Sequence, residues 1–239
     1  MAPLIFSIDG NIGSGKSRFL SYLKENITQL LIGLPYDIKK YKFVFVPEPV
    51  SLWSQFKDEN NKTIIECFYA DQKKYAFPFQ MMAYISRLSL LKKYVRENPN
   101  SIIITERCLE TDRHIFAKML YDDGAIDKIN YDIYLAWFDE FIEEIPVVAH
   151  IYIKTEPIIS EQRVIARNRE GESIPLEYLK KCHQYHENWL NNLKYKKVFT
   201  LDNNTNIYDN TKINTYIHIV FQFIQKVVDN NTSPYSQLP

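Results

Sequence analysis

Five short apolar runs punctuate the chain, at Leu4–Asp9, Lys42–Val46, Ser101–Glu106, Val147–Lys154 and 197–201. Each is rich in β-branched or aromatic residues, and none is long enough for a helix, as expected of strands buried on both faces. Longer stretches with helical punctuation lie between them. One starts at Gly15 and ends near Gly33, a C-cap signal. Another spans 78–98, with Pro78 at its start and Asn98-Pro99 at its end. Further helices are predicted at 111–121, 131–143, 156–167, 175–193 and 212–228. Strands alternating with helices imply an α/β fold, a five-stranded parallel sheet between helical layers. No repeat or Gly/Ser linker interrupts the pattern. One domain is therefore expected over 1–229, with a polar tail at 230–239 that should fray.

Composition narrows the function classes. A chain of 239 residues suits one domain and can bury a core without metal or disulfide staples. Twenty-nine basic and 29 acidic side chains cancel, which argues against a nucleic-acid-coating protein. The three cysteines are widely spaced and form no CxxC pair, so reduced thiols in a cytoplasmic setting are expected and a zinc site is not. The first apolar run lacks a basic leader, the chain starts almost directly on it, and no run reaches 18 apolar residues. Neither a targeting extension nor a membrane span is expected. The charge balance hides one local feature. Only eight of the 29 cations are arginine, yet Arg163, Arg167 and Arg169 fall within seven residues.

Six glycines occur in all, and three of them stand between Gly10 and Gly15. Gly10-Asn11-Ile12-Gly13-Ser14-Gly15-Lys16-Ser17 matches the phosphate-loop pattern G-x-x-x-x-G-K-[ST], between a predicted strand and a predicted helix. Glycines let backbone N–H groups curl around a phosphate, and the helix N-terminus adds partial positive charge. Lys16 would reach the outer phosphates and Ser17 would offer a hydroxyl to Mg²⁺. A chain of this length yields the pattern by chance in roughly 1% of cases at average residue frequencies. The fold expectation sharpens to a three-layer P-loop NTPase fold. The loop names the donor class and leaves the acceptor open. A GTPase would need an Asn-Lys-x-Asp motif, and Asn61-Lys62 is followed by Thr63-Ile64 instead.

The second strand ends in Val46-Pro47-Glu48-Pro49-Val50, followed by Ser51-Leu52-Trp53. A carboxylate at a strand end beside the phosphate loop stands where open α/β sheets bind ligands, and could take a proton from an attacking hydroxyl. A surface glutamate between two prolines is the plain alternative. With SIDGNIGSGKS, VPEPVSLW, FPFQMMAYISR, ITERCLETDRHIFA, RVIARNREGES and IPLEYLKKCHQYHENWL in this order, residues 3–229 resemble the deoxynucleoside kinase family, most closely its deoxycytidine/deoxyguanosine branch.

The resemblance implies an ATP-dependent 5′-kinase acting in nucleotide salvage, with Mg²⁺ as cofactor and a homodimeric assembly. Glu48 looks like the base for the 5′-hydroxyl, Arg107 like the cation beside it, and Glu106 like the carboxylate that holds Mg²⁺ with Ser17. The family usually has Ser where Cys108 stands. The arginine cluster looks like the family's lid, about residues 160–175. Arg163 and Arg167 share a helix face there, with Arg169 just beyond its end. A solvated basic face is the alternative, but arginine in a lysine-biased chain favours phosphate binding. Asp202, at the end of the fifth strand, is assigned to the ATP side.

Between Arg169 and Pro175 the chain is one residue shorter than the family pattern. Counting from Arg169 matches Glu172 to the acid at the sugar 3′-hydroxyl, and counting back from Pro175 gives Gly171. Glycine has no side chain to accept that hydroxyl, so Glu172 is preferred. Gln80 looks like the base-pairing amide, Phe116 like the stacking aromatic, Trp53 and Phe79 like walls, and Tyr69 like the partner of Glu172. Ordinary core packing is the alternative for the three aromatics. The pair Arg87 and Asp112 marks the branch using deoxycytidine and deoxypurines, so thymidine should be poor. A thymidylate-type monophosphate kinase is the nearest rival, but it places Arg before its Glu-Pro, where Pro47 stands here. A non-catalytic relative would tend to lose Lys16 or Glu48, and both are present.

Overall fold

The computed structural model describes residues 2–32, 36–169, 172–193, 197–205 and 210–232. Its elements run β1 (Leu4–Asp9), α1 (Lys16–Ile32), α2 (Tyr36–Lys39), β2 (Lys42–Val46), α3 (Val50–Trp53), α4 (Ile64–Ala70), α5 (Gln72–Glu97) and β3 (Ser101–Glu106). After β3 come α6 (Leu109–Thr111), a π-helical stretch (Asp112–Ala117) and α7 (Lys118–Asp122). The chain continues through α8 (Lys128–Phe141), a 3₁₀ turn (Ile142–Glu144), β4 (Val147–Lys154), α9 (Pro157–Arg167), α10 (Leu176–Leu190), β5 (Lys197–Asp202) and α11 (Asn210–Thr232). The α/β expectation is borne out. The sheet is five-stranded and all parallel, in the order β2-β3-β1-β4-β5.

Alternate side chains of each strand serve different cores, because successive residues point to opposite faces. Phe6, Ile8, Ile102, Ile104, Ile151 and Ile153 pack against α1 and α11 through Phe19, Leu23, Ile217 and Phe221. Ile5, Val44, Ile103 and Tyr152 pack on the other face, where α5 and α8 contribute Tyr84, Leu91, Tyr134 and Phe138. Both faces are covered, so β3 is buried over all six residues, hence the unbroken apolar run. Each such buried side chain contributes about 1.5–3 kcal/mol. All five strands run the same way, so Asp9, Val46, Glu106, Lys154 and Asp202 end on one edge. The site is built above that edge.

Several helices differ from expectation. Helix α5 starts at Gln72 rather than Pro78, because Asp71 caps it by accepting from Lys74 N–H at 3.1 Å. Pro78 lies inside the helix. The run expected as a plain helix at 111–121 contains the π-helical stretch. Helix α11 is longer at both ends than 212–228 and continues into the expected tail as far as Thr232. Gly33, the expected C-cap of α1, and 233–239 lie outside the described residues.

Candidate active site

A cavity of about 850 Å³ opens over the strand ends. The phosphate loop forms its floor. Lys16 Nζ donates to Asn11 O at 2.7 Å, and Ser14 N donates to the same carbonyl at 3.1 Å. Ser14 O accepts from Asn203 Nδ2 at 2.6 Å, Thr155 Oγ1 at 3.3 Å and Arg163 Nη1 at 3.4 Å. Asn11 Nδ2 ties the loop to Leu179 O at 2.8 Å. Ile12, Gly13, Gly15, Lys16 and Ser17 face the cavity. Gly10, Asn11 and Ser14, expected with them, do not line it. Burial, and then repulsion from Arg107, lower Lys16 to about 7, although Glu106, Glu48 and Asp9 partly offset them.

Ser17 and Glu106 meet at the rim of the loop, where Ser17 Oγ donates to Glu106 Oε1 at 2.7 Å. A hydroxyl and a carboxylate this close form a set of hard oxygen donors that fits Mg²⁺.

Glu48 follows the end of β2 between its two prolines and is not a surface side chain. Arg107 Nη1 donates to both its oxygens, at 2.7 and 2.9 Å, and Arg87 Nη2 donates to Oε1 at 2.9 Å. Burial alone would raise its pKa, but Arg107, Arg87 and Lys16 outweigh it and hold the carboxyl at about 2. Glu48 is therefore ionised throughout the neutral range. Arg107 adopts φ +61°, a left-handed conformation, and its guanidinium lies 5.1 Å from the Phe116 ring centroid.

Arg87 projects from α5 with nearly every donor engaged. Its Nε donates to Asp112 Oδ2 at 2.8 Å and its Nη1 to Glu106 O at 2.9 Å. Burial works against the cation, but Asp112 and Glu48 outweigh it and raise the pKa. The π-helical stretch contributes both Asp112 and Phe116 to the cavity lining. π-bulges are frequent at functional sites.

The inner half of the cavity is aromatic. Phe79 stacks on Phe68 with centroids 4.7 Å apart and meets Trp53 edge-on at 5.8 Å. Trp53 Nε1 donates to Ser86 Oγ at 2.8 Å, which fixes the indole. Gln80 stands among these rings, 2% exposed, and its Oε1 has no hydrogen-bond partner. A buried unpaired acceptor facing a cavity is what a ligand donor would satisfy.

Helix α9 and the residues after it also line the cavity, through Arg163, Arg167, Arg169 and Glu172. Helix α9 ends in a left-handed Asn168, φ +45°, which sets Arg169 beyond the helix. Arg163 Nη2 donates to Asn203 O at 2.8 Å. Arg167 is ion-paired with Glu172, and Arg169 Nη1 lies 3.8 Å from the same carboxylate. Burial and then Glu172 push the Tyr69 phenol up. Gly171, the alternative to Glu172, lies outside the described residues. Asp202 does not line the cavity. Its Oδ1 accepts from Asn204 N–H at 2.8 Å, and the adjacent Asn203 faces the loop instead. Sequence reasoning missed Asn203, which no motif marks, Tyr178, which lies in the IPLEYLKK segment without a role assigned to it, and Ile65 and Phe68 on α4.

The family profile described as deoxynucleoside kinase matches residues 6–228. The chain belongs to the deoxynucleoside kinase family. Among its relatives is deoxycytidine kinase 1 of Xenopus laevis, 30% identical over 234 residues, covering 85% of this chain and 83% of that protein. Human deoxycytidine kinase is 29% identical over 248 residues, covering 91% and 90%. Human mitochondrial thymidine kinase 2 is 30% identical over 189 residues, covering 78% and 64%. This kinase is accordingly an ATP-dependent nucleoside kinase. Among the described residues no helix is long and apolar enough to cross a membrane.

Proposed function

We propose that this kinase binds a deoxynucleoside in the aromatic half of the cavity and the ATP phosphates over the loop. Glu48 takes the 5′-hydroxyl proton as the 5′-oxygen attacks the γ-phosphorus, and ADP leaves with the broken bond's electron pair. The observation that carries this assignment is Glu48 itself, a strand-end carboxylate held ionised by two arginines beside the phosphate loop. Arg107, Lys16, Arg163 and Arg167 complement the charge spread over the transferring phosphoryl oxygens, and Arg169 and the loop hold the remaining phosphates. Ser17 and Glu106 would hold Mg²⁺, whose charge offsets that of the phosphates. Gln80 reads the base edge, Phe116, Phe79 and Trp53 enclose the ring, and Tyr69 with Glu172 receives the 3′-hydroxyl.

Deoxycytidine, deoxyadenosine and deoxyguanosine are preferred to thymidine, supported by the buried Arg87–Asp112 pair on the cavity wall. Incubation with Mg-ATP and each deoxynucleoside, followed by product separation, tests the whole assignment. Turnover of a nucleoside monophosphate with every nucleoside inert would sink it. The three free, buried thiols support a reducing, cytoplasmic location, and residues 1–229 are taken as one kinase domain with its lid at about 160–175. A homodimer is supported by an apolar face across α5 and α8, where Ile85, Ile129, Ile133 and Trp137 are exposed.

A further inference from the structure

A second polar cluster lies behind the strand ends, outside the cavity lining. Asp9, the last residue of β1, is wholly buried, as is His150 on β4. Asp9 Oδ2 and His150 Nδ1 are 2.8 Å apart, and Asp9 Oδ1 accepts from the Thr111 hydroxyl. Thr111 Oγ1 in turn accepts from Cys108 N–H at 3.2 Å. On the far side of the imidazole, Nε2 lies 3.7 Å from Glu110 Oε2, and the ring meets Trp189 edge-on at 5.2 Å.

Burying this much polarity is costly unless it is paired, and pairing at best offsets the cost. Such a cluster in place of apolar packing therefore calls for a function. Asp9, Cys108 and His150 bring their ligand atoms within 4.8 Å of one another, which raises the question of a metal. The chemistry argues otherwise. Both Asp9 oxygens are occupied, and burial pushes the Cys108 thiol far up, away from the thiolate a metal needs.

The cluster ends on the turn that carries Arg107. A left-handed arginine costs roughly 1–2 kcal/mol and persists only where its surroundings fix it. Every peptide group around it is engaged. Arg107 N–H donates to Ile8 O at 3.0 Å, Arg107 O accepts from Thr105 Oγ1 at 3.0 Å, and Cys108 N–H is held by Thr111. The Thr105 bond is made by a single side chain, whereas the last hangs on a relay of three, from Thr111 to Asp9 to His150.

We infer that His150 is a positioning residue for phosphoryl transfer, which through Asp9 and Thr111 fixes the Arg107 turn and so keeps the guanidinium on Glu48. The inference rests on the assignment of Arg107 and Glu48 to the reacting centre. Misplacing such a group by about 1 Å can cost about 10²-fold in rate.

The test compares full-length wild type, His150→Leu, His150→Asn, Thr111→Val and the His150→Leu/Thr111→Val double variant. Each is assayed for kcat, for KM of ATP and for amide exchange at Cys108. His150→Leu should lower kcat about 10- to 100-fold and leave the KM for ATP within about twofold. His150→Asn, whose amide nitrogen can stand near Nδ1, should restore most of the turnover. The double variant should be no worse than the poorer single one, and Cys108 exchange should quicken in both singles. Unchanged kcat in folded His150→Leu, additive losses, or no restoration by Asn would overturn the inference. Should His150→Leu fail to fold, the near-isosteric Thr111→Val carries the same kcat and KM criteria. Wild-type turnover and Glu48→Gln, run in parallel, test the underlying assignment separately.

Discussion

Arg87 donates to Glu48 across 2.9 Å while its Nε holds Asp112 at 2.8 Å, so one cavity-lining side chain grips both the proposed base and the proposed specificity residue. On the proposed assignment, specificity and catalysis share one side chain. Replacing Arg87 and Asp112 together with apolar residues should raise thymidine use relative to deoxycytidine, and should also lower kcat for every nucleoside. Removing Asp112 alone should cost about 1–3 kcal/mol, because Arg87 Nε loses its acceptor while the cation keeps Glu48 and Glu106 O. Steady-state kinetics on the nucleoside panel and denaturant melts measure both effects. An unchanged thymidine-to-deoxycytidine ratio in the double variant would remove the specificity argument.

Glu48→Gln should reduce turnover by about 10² or more if the carboxylate takes the hydroxyl proton. The pH dependence has a definite sign. The folded carboxyl sits at about 2, below its ordinary 4.5, so its stabilisation is complete above about pH 4.5 and is lost as pH falls toward 2. Acid melts of wild type should therefore fall more steeply over that window than those of Glu48→Gln. Parallel curves would contradict the pairing of Glu48 with Arg107 and Arg87.

Much of this architecture is legible in sequence. β1 to β4 coincide with their apolar runs, because a strand covered on both faces has no reason to alternate. Thr63-Ile64-Ile65-Glu66 is a capping-box signature in the sequence, and the box is formed at the start of α4. The π-helical stretch carries no comparable signal. The Asp9–His150 contact joins residues 141 apart, and neither belongs to a motif that names the other. The Arg107–Glu48 clasp came into view only through family likeness, since spacing says nothing of which strand ends converge.

Lys16 near 7 in the free kinase should couple ATP binding to protons. A bound triphosphate favours the ammonium form and raises that pKa, so binding takes up a proton when free Lys16 is partly neutral. The Kd for ATP should rise by up to about tenfold per unit between about pH 7 and about pH 9. Calorimetry in buffers of different ionisation enthalpy would reveal the uptake, and Lys16→Arg should abolish it. A binding enthalpy independent of buffer would refute the coupling.

Trp137, 49% exposed, lies on the apolar face with Ile129 and Ile133. Tyr84 OH donates to Trp137 O at 2.9 Å, which ties this face of α8 to α5. Trp137→Asp should convert a dimer to monomers in sedimentation and leave the cavity intact, because it places a charge in the contact. A wild-type monomer at micromolar concentration would end the dimer proposal.

Gly13 measures how closely α9 approaches the loop. A Cβ there would stand 2.4 Å from Ser160 O and 3.0 Å from Val164 Cγ2, at φ +78°. Gly124 has a similar φ of +70°, yet nothing lies within 4 Å of its Cβ position. The two alanine variants thus separate strain from crowding. Gly124→Ala should cost about 1 kcal/mol from backbone conformation alone and leave ATP affinity intact. Gly13→Ala should cost more, since α9 or the loop must shift, and should weaken ATP binding at least about tenfold. Thermal melts and nucleotide titrations separate the cases. Equal ATP affinity in the two variants would mean that α9 yields freely, and that the contact between loop and lid does not shape the phosphate site.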